Sequence, residues 1–162
     1  MRSNYEERAK KFIQQIFPYI EKCTTHESRT EAIFAFNYQN HRRVQYKYGQ
    51  SRYAFVTSDY VVKVDYRSTM WGNSEDEMEL YDEAVRDGYE YPFAKISHYQ
   101  YHGHDFYIMP RIKGIGRTPC DAEEYLEEDE MDWCWDHVSD LHSYNYGWKN
   151  GRVVIVDYAS RR

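Results

Sequence analysis

The stretch that most constrains this chain lies near its carboxy terminus, between Lys149 and Asp157. Asn150-Gly151 favours a two-residue β-turn because both residues readily adopt positive φ. The run from Arg152 to Val156 is rich in β-branched residues, which predicts a buried strand. We therefore expect a hairpin here, with the Asp157 carboxylate leaving the end of its second strand to face a cleft.

Two oxygen-bearing side chains precede this hairpin, in a segment without helical or strand periodicity. Asp140 and Asn145 have the spacing D-x-x-x-x-N, and Asp157 follows after the strand. Carboxylate and amide oxygens are ligands that a hard cation such as Mg²⁺ takes in proteins. The three residues therefore predict a magnesium site. A transition-metal cluster of His137, Asp140 and His142 is the alternative, although no zinc-like spacing accompanies it.

The order of these residues resembles the protein-kinase-like superfamily, which includes protein kinases and the aminoglycoside and choline phosphotransferases. Its pattern is a catalytic Asp, a metal-binding Asn, a short strand and a second metal-binding Asp. Asp140 to Asn145 and Val154 to Asp157 match that pattern, and Asp-Leu-His at its start is closer to the small-molecule phosphotransferases. Two positions depart from it, since Val138 stands where the family usually has His and Ala159 replaces Gly.

Lys63 extends the resemblance into the amino-terminal half of the chain. It stands among apolar residues in a strand predicted over residues 60–64, and burial of its ammonium group without a partner would be costly. The family has a Lys in its third strand that holds the nucleotide phosphates, and Lys63 fits that place. Strand alternation also permits the alternative that Lys63 simply faces solvent.

A helix predicted over residues 74–88 carries a candidate partner for this lysine. Its N-cap is expected at Ser74. Glu77 lies on the apolar face, together with Leu80, Tyr81, Ala84 and Val85. Glu79 falls on the polar face. The resemblance therefore implies an ion pair between Glu77 and Lys63, and the alternative is that Glu77 only closes a capping box.

The resemblance implies nucleotide contacts at two further places. Gly49, Ser51 and Arg52 belong to a turn that stands where the family has its phosphate-covering loop, here with a single glycine. Met109 occupies the gatekeeper position, and Ile112 the hinge position whose backbone meets the adenine. The cofactors that the resemblance implies are ATP and Mg²⁺.

The predicted elements form one α+β domain of the kinase-like type. Residues 1–42 are a helical extension. Residues 43–112 are expected to form an N-lobe, a five-stranded and mainly antiparallel sheet with the 74–88 helix packed on it. Residues 113–162 form a minimal C-lobe with the catalytic loop and the metal-Asp hairpin. Most of the helical lobe that holds the acceptor in the family is expected to be absent.

Periodicity and breakers define the remaining elements. An amphipathic helix is predicted over residues 4–24, in which Pro18 is expected either to kink the helix or to begin a second segment. A short helix is expected over residues 29–36, a strand over residues 93–101 and an acidic, aromatic helix over residues 121–135. The apolar face of the first helix consists of Phe12, Ile13, Ile16, Phe17 and Ile20.

The composition excludes several classes of protein. A hydrophobic content of 41% with 18% aromatic residues indicates a globular chain. A net charge of −6 without a basic stripe argues against a nucleic-acid partner, and no apolar run of about 18 residues argues for a membrane span. Three well-separated cysteines indicate reduced thiols in a bacterial or host-cell cytoplasm. Aromatic surface around Trp133, Trp135 and Trp148 predicts self-association or a protein partner.

Two functions follow from these residues. The first is a miniature phosphotransferase that binds ATP and magnesium and transfers the γ-phosphate to a hydroxyl of a protein or small molecule, with Asp140 as the base. The second is a catalytically silent kinase-like regulatory protein, such as a phage protein that inhibits a host factor. The order of the polar positions favours the first, and the missing His and acceptor lobe favour the second.

Overall fold

The computed structural model describes four stretches of the chain, residues 4–66, 73–115, 125–139 and 145–158. The chain divides into two compact units. The first comprises Met1–Arg67 and Ser97–Arg111, and the second Ser68–Ile96 and Ile112–Arg162. Within the described stretches, no helix has the length and apolar character needed to cross a bilayer.

The first unit is built on a five-stranded antiparallel sheet in the order β1-β2-β3-β5-β4. The strands are β1 (Gln45–Tyr48), β2 (Arg52–Val56), β3 (Tyr60–Asp65), β4 (Ser97–Tyr101) and β5 (His104–Pro110). Between β4 and β5, His102 and Gly103 both have positive φ, 49° and 75°, as a two-residue hairpin turn requires. The predicted α+β fold with an antiparallel five-stranded sheet is thus confirmed.

Two helices, α1 (Tyr5–Ile20) and α2 (His26–Asn40), supply the other half of the first unit's core. All five apolar residues predicted to share a face of α1 are buried. The Phe12 ring packs against the rings of Phe36, Phe55 and Tyr60, with centroid distances of 5.7, 6.0 and 6.0 Å. The helices of the predicted amino-terminal extension therefore cover the sheet.

Both of these helices differ in extent from the prediction. α1 continues through Pro18, which lies in its last turn, where a missing N–H costs only one backbone hydrogen bond. α2 begins well before residue 29, because the Thr25 side chain accepts the Ser28 N–H and Ser28 bonds back to the Thr25 N–H. This reciprocal cap satisfies N–H groups that a helix end otherwise leaves unpaired.

The second unit contains helices α3 (Ser74–Asp87) and α4 (Glu128–His137) and the hairpin of β6 (Tyr146–Lys149) and β7 (Arg152–Ile155). The predicted turn is confirmed, since Asn150 and Gly151 have φ of 54° and 76°. Backbone bonds flank the hairpin on both sides. The Ala94 N–H donates to the Ile155 carbonyl at 2.9 Å, and the Trp148 N–H to the Lys113 carbonyl at 2.9 Å.

The structure corrects the predicted ends of α3 and of β4. The N-cap of α3 is Asn73, whose side chain accepts the Asp76 N–H while Asp76 accepts the Asn73 N–H, so Glu77 takes no part in the capping box. The strand predicted from residue 93 begins only at Ser97. Residue 93 lies in the second unit, where it bridges Ile155 of β7.

The structure also corrects the aromatic pattern of α4, which begins at Glu128 and not near residue 121. Trp133 is buried, and its indole N–H donates to the Asp87 carboxylate at 3.0 Å. Trp135 and Tyr125 are about half exposed, at 51% and 53%. On α3, Val85 was placed on the apolar face but is 46% exposed.

Candidate functional site

The β6–β7 hairpin brings two of the predicted metal ligands to one end of the second unit. The register pairs Tyr146 with Ile155, and the ladder continues one step further because the Val156 N–H donates to the Asn145 carbonyl at 2.8 Å. Asn145 is therefore opposite Val156, and Asp157 follows directly. The Asn145 side chain is buried and Asp157 is exposed.

The donor set at this end of the hairpin fits a hard cation. An amide oxygen and a carboxylate, from Asn145 and Asp157, are both accepted by Mg²⁺, and the exposure of Asp157 leaves room for the water and phosphate ligands that this ion usually keeps. The third predicted member, Asp140, lies outside the described residues. Within the described residues, no group of three or more His, Cys, Asp and Glu side chains could hold a metal.

Glu77 reaches the same end of the hairpin from α3. Its side chain is completely buried, and its Oε1 atom accepts the Tyr158 backbone N–H at 3.3 Å. Glu79, two residues further on, is exposed. The argument that helical periodicity turns Glu77 inward is therefore confirmed, and the carboxylate holds the residue that follows Asp157.

Tyr158 is the residue at this site that the sequence analysis did not single out. Its side chain is 1% exposed, and its hydroxyl donates to the Ala94 carbonyl at 2.5 Å. Its ring packs edge-on against Phe93, with centroids 4.9 Å apart. The signal was present in the sequence, because Tyr158 follows Asp157 at the position where the family pattern has an aromatic residue.

Close packing also shapes the segment that was predicted to be the hinge. Ile112 is 5% exposed and lies in the second unit. A Cβ atom on Gly147 of β6 would stand 2.5 Å from the Ile112 Cγ2 atom and 2.9 Å from the Lys113 carbonyl oxygen. Only a glycine allows this approach of β6 to the 112–113 segment.

The remaining predicted nucleotide contacts lie in the first unit. Lys63 is in the middle of β3, where it pairs with Ala54 of β2 and Tyr107 of β5, and it is half-buried. Met109 lies in β5 beside Val61 and is buried, as a gatekeeper position would be.

The proposed phosphate loop is a tight turn at the edge of the same sheet. The Gly49 N–H donates to the Arg52 carbonyl at 2.9 Å, and the Ser51 carbonyl accepts the Tyr66 N–H at 3.0 Å. The loop is therefore anchored to the segment that follows β3. The predicted ion pair between Lys63 and Glu77 would join residues of different units and stays a prediction.

The alternative metal cluster has one member among the described residues. The His137 ring stacks on Trp133, with centroids 3.9 Å apart, and its Nδ1 atom bonds the Trp133 carbonyl at 2.7 Å. Its Nε2 atom lies 3.9 Å from the Glu83 carboxylate. The other members, Asp140 and His142, lie outside the described residues. The observed contacts of His137 are those of a residue that joins α4 to α3.

Comparisons with known proteins find similarity only among solved structures. No family model matches the sequence. No curated protein matches it. A co-crystal structure of WbdD with the kinase inhibitor LY294002 is 14% identical over 75% of this chain and 33% of that chain, with a TM-score of 0.39.

Two further structures are similar over comparable lengths. The streptomycin–ATP–APH(2")-IIa ternary complex is 28% identical over 61% of this chain and 33% of that chain, with a TM-score of 0.36. A structure of the bifunctional kinase-methyltransferase WbdD is 16% identical over 69% of this chain and 30% of that chain, with a TM-score of 0.38. The chain thus spans about a third of the length of the structures it matches.

The described residues carry the α+β fold that the resemblance to the protein-kinase-like superfamily implied, with the antiparallel sheet and Lys63 in the first unit and the hairpin that ends in Asp157 in the second. The solved structures to which the chain is similar include the bifunctional kinase-methyltransferase WbdD and the APH(2")-IIa complex with streptomycin and ATP. The described residues accordingly have the α+β architecture, an antiparallel five-stranded sheet with helices, that is expected of a kinase-like N-lobe.

Proposed function

We propose that this chain binds ATP together with magnesium and transfers the γ-phosphate to a hydroxyl group of a protein or small molecule. The observation that carries the proposal is the arrangement at the end of the β6–β7 hairpin. There the bond between the Val156 N–H and the Asn145 carbonyl pairs Asn145 with Val156, the residue that directly precedes Asp157. A buried carboxylate, Glu77, supports the backbone directly behind them.

Each residue has a distinct role in the proposed reaction. Asn145 and Asp157 would hold magnesium, which when bound neutralises charge on the phosphates. Asp140 would orient the acceptor hydroxyl and take its proton. Lys63 would bind the phosphates as a point charge.

The remaining predicted residues would contact the adenine ring and the phosphates of ATP. Met109 and Ile112 would line the adenine position, and both are buried, as apolar contacts to a base require. The turn of Gly49, Ser51 and Arg52 would cover the phosphates. Catalysis of this type depends mainly on positioning and electrostatic stabilisation, so the support behind Asp157 matters as much as the ligands.

Glu77 and Tyr158 act as positioning residues in this scheme. The Glu77 carboxylate accepts the backbone N–H of Tyr158, which directly follows Asp157. The Tyr158 hydroxyl donates to the Ala94 carbonyl. The residue that follows Asp157 is therefore held by two buried contacts. A rigidly held ligand loses less conformational entropy when it binds a metal.

A second candidate function is a kinase-like protein that binds nucleotide or a protein partner without transfer. Val138 favours it, since this apolar side chain stands where the family usually has His and is 1% exposed. It would offer no polar group to the catalytic loop. In this alternative, the metal-binding residues serve nucleotide binding alone or the function lies on the protein surface.

A thermal-shift titration with ATP and magnesium tests nucleotide binding. A ligand that binds only the folded state stabilises the protein by about 2.7 kcal/mol when its concentration is about 100 times its dissociation constant. We expect Asp157→Asn to abolish the magnesium-dependent part of this shift. Asp136→Asn, which removes an exposed carboxylate on α4 of the same unit, is the matched control and should leave the shift intact. Equal shifts in both variants would refute a metal role for Asp157.

Phosphotransfer is tested separately with Asp140→Asn. A general base acts in the transition state and contributes little to ground-state affinity, so this variant should keep the ATP shift and lose transfer or ATP hydrolysis. If the wild-type protein binds ATP but shows no turnover that depends on Asp140, the silent alternative is correct.

A further inference from the structure

The outer face of α2 carries the two most exposed large apolar side chains among the described residues. Phe34 is 74% exposed and Tyr38 is 79% exposed. They are four positions apart and therefore adjacent on the helix surface. The inner face of the same helix packs in the core of the first unit, where Ile33 and Phe36 are buried. The exposed pair thus belongs to a second face that the fold itself does not cover.

A symmetric stripe of exposed residues contains this pair. Glu31, Phe34 and Tyr38 are exposed on the helix at spacings of three and four positions, and the exposed C-cap residue His41 follows three positions later. That sequence of spacings reads the same in both directions. A stripe of this kind can pair with an antiparallel copy of itself, because every position then meets a position of the other copy.

We propose that α2 is the interface at which two copies of this chain associate, antiparallel and around a twofold axis that passes beside residue 36. In this register, Phe34 of each copy meets Tyr38 of the other, which places four aromatic rings at the centre. Glu31 of each copy meets His41 of the other. Tyrosine and phenylalanine are enriched at interface centres, whereas a ring of charged residues surrounds them.

Charge complementarity supports a second copy as the occupant. The amino-terminal part of the exposed face is acidic, with Glu27 and Glu31, and the exposed His41 and the cationic Arg43 follow the carboxy-terminal end of the helix. An antiparallel partner with the same sequence brings the acidic end of each copy to the basic end of the other, twice per dimer. A parallel arrangement would oppose like charges and is therefore disfavoured.

Both ends of α2 are held in place by hydrogen bonds within the chain. The reciprocal cap of Thr25 and Ser28 holds its start, and His41 adopts a left-handed conformation with φ of 52° at its end. The Asn37 side chain donates to the Val44 carbonyl at 2.9 Å and accepts the Val44 N–H at 3.0 Å. These bonds fix the chain that leaves the helix, so association requires little further ordering.

The site expected from the sequence for self-association is different. Trp133 was expected to contribute exposed surface, but it is buried against Tyr89 and Phe93. Trp148 is partly covered by Tyr125, with ring centroids 5.2 Å apart. Only Trp135 of that group remains half exposed. The α2 stripe offers the larger exposed aromatic surface and, unlike Trp135, a charge pattern that selects a partner.

Sedimentation velocity of the full chain over a concentration series tests the interface. We expect a monomer–dimer equilibrium in the wild type and a dissociation constant at least about tenfold weaker in Phe34→Ser/Tyr38→Ser, since aromatic residues at an interface centre carry much of the binding energy. Trp135→Ser is the control with an exposed aromatic residue in the other unit and should behave as wild type. Circular dichroism confirms that each variant keeps its helices.

Charge exchange tests the antiparallel register itself. Glu31→Lys should weaken the dimer, because the new lysine faces His41 and Arg43 of the other copy. Glu31→Lys/His41→Asp should recover at least part of the lost association, since each new lysine then faces an aspartate of the other copy, and Asp tolerates the left-handed conformation at position 41. A variant that is merely destabilised would not regain association, so recovery in the double variant would show that positions 31 and 41 face each other across the interface.

Three results would overturn the proposal. A wild-type chain that remains monomeric up to about 1 mM would show that α2 does not bind a second copy of this chain. A dimer that persists in Phe34→Ser/Tyr38→Ser, or that disappears in Trp135→Ser, places the interface elsewhere. A double charge variant weaker than Glu31→Lys alone excludes the antiparallel register.

Discussion

Removal of the Glu77 carboxylate should destabilise the second unit much more than removal of any exposed carboxylate on α3. Glu77 has no exposed surface, and its Oε1 atom accepts the buried Tyr158 N–H. Glu77→Ala leaves this donor without its acceptor, at a cost of about 1–3 kcal/mol, and removes a buried methylene worth about 0.8 kcal/mol. We therefore expect a loss of about 2–4 kcal/mol in the free energy of unfolding.

Urea denaturation monitored by tryptophan fluorescence measures this loss, since Trp133, Trp135 and Trp148 all lie in the second unit. Glu77→Gln keeps an oxygen acceptor and should cost only about 1 kcal/mol. Glu79→Ala is the matched control, because Glu79 is exposed on the same helix, and should change stability by less than about 0.5 kcal/mol. Equal losses in Glu77→Ala and Glu79→Ala would refute the reasoning from the buried hydrogen bond.

Three smaller predictions concern local features of the same unit. Gly147→Ala should cost about 1–3 kcal/mol in urea denaturation, since the added Cβ would lie 2.5 Å from the Ile112 Cγ2 atom, and a neutral result would contradict that packing. Asn73→Ala should lower the free energy of unfolding by about 1 kcal/mol through loss of the α3 cap, with Asn73→Ser nearly neutral. Burial raises the pKa of the Cys134 thiol from 9.0 to about 12, so mass-spectrometric mapping after alkylation at pH 8 should find Cys134 unmodified in the folded chain and modified in urea. The same raised pKa stabilises the folded state below pH 9 and should reduce stability as the pH rises from 9 towards 12, because the unfolded thiol then ionises first.

Local chemistry in the sequence was sufficient to predict most elements of the fold. The Asn150-Gly151 turn and the strands on either side of it are observed as expected, because the turn residues and the β-branched run agree with each other. The burial of Glu77 and the exposure of Glu79 followed from helical periodicity alone. These predictions depend on contacts between residues close in sequence, which a pattern can express.

Predictions failed where a neighbour distant in sequence decided the outcome. Residue 93 has strand-like neighbours, yet the backbone around it bonds to β7 in the second unit and does not extend β4. Trp133 has the same local composition as Trp135, but only Trp133 has Asp87 of α3 as a hydrogen-bond partner and is buried. Two residues that are two positions apart on a helix point to opposite sides, and which side is covered depends on α3, which is distant in sequence.

The candidate site shows the same division. Candidate residues could be chosen from the sequence, because Lys63, Glu77, Asn145 and Asp157 resemble a known family pattern, and their roles stay predictions. The role of Tyr158 could not, since its hydroxyl bonds a carbonyl and its N–H bonds a carboxylate that are both more than sixty positions away. Such bonds depend on how α3 and the 92–96 segment pack around the hairpin.

Most of the helices and strands, the inward face of α3 and the order of the polar residues could be predicted, because turn chemistry, periodicity and spacing are local properties of a chain. The packing of the elements was needed to show that the Glu77 carboxylate supports the backbone behind Asp157, that Trp133 is covered, and that the uncovered aromatic face is the one on α2. Burial depends on contacts between elements that are distant in sequence. A side chain becomes a support, a core residue or an exposed surface according to which distant elements reach it.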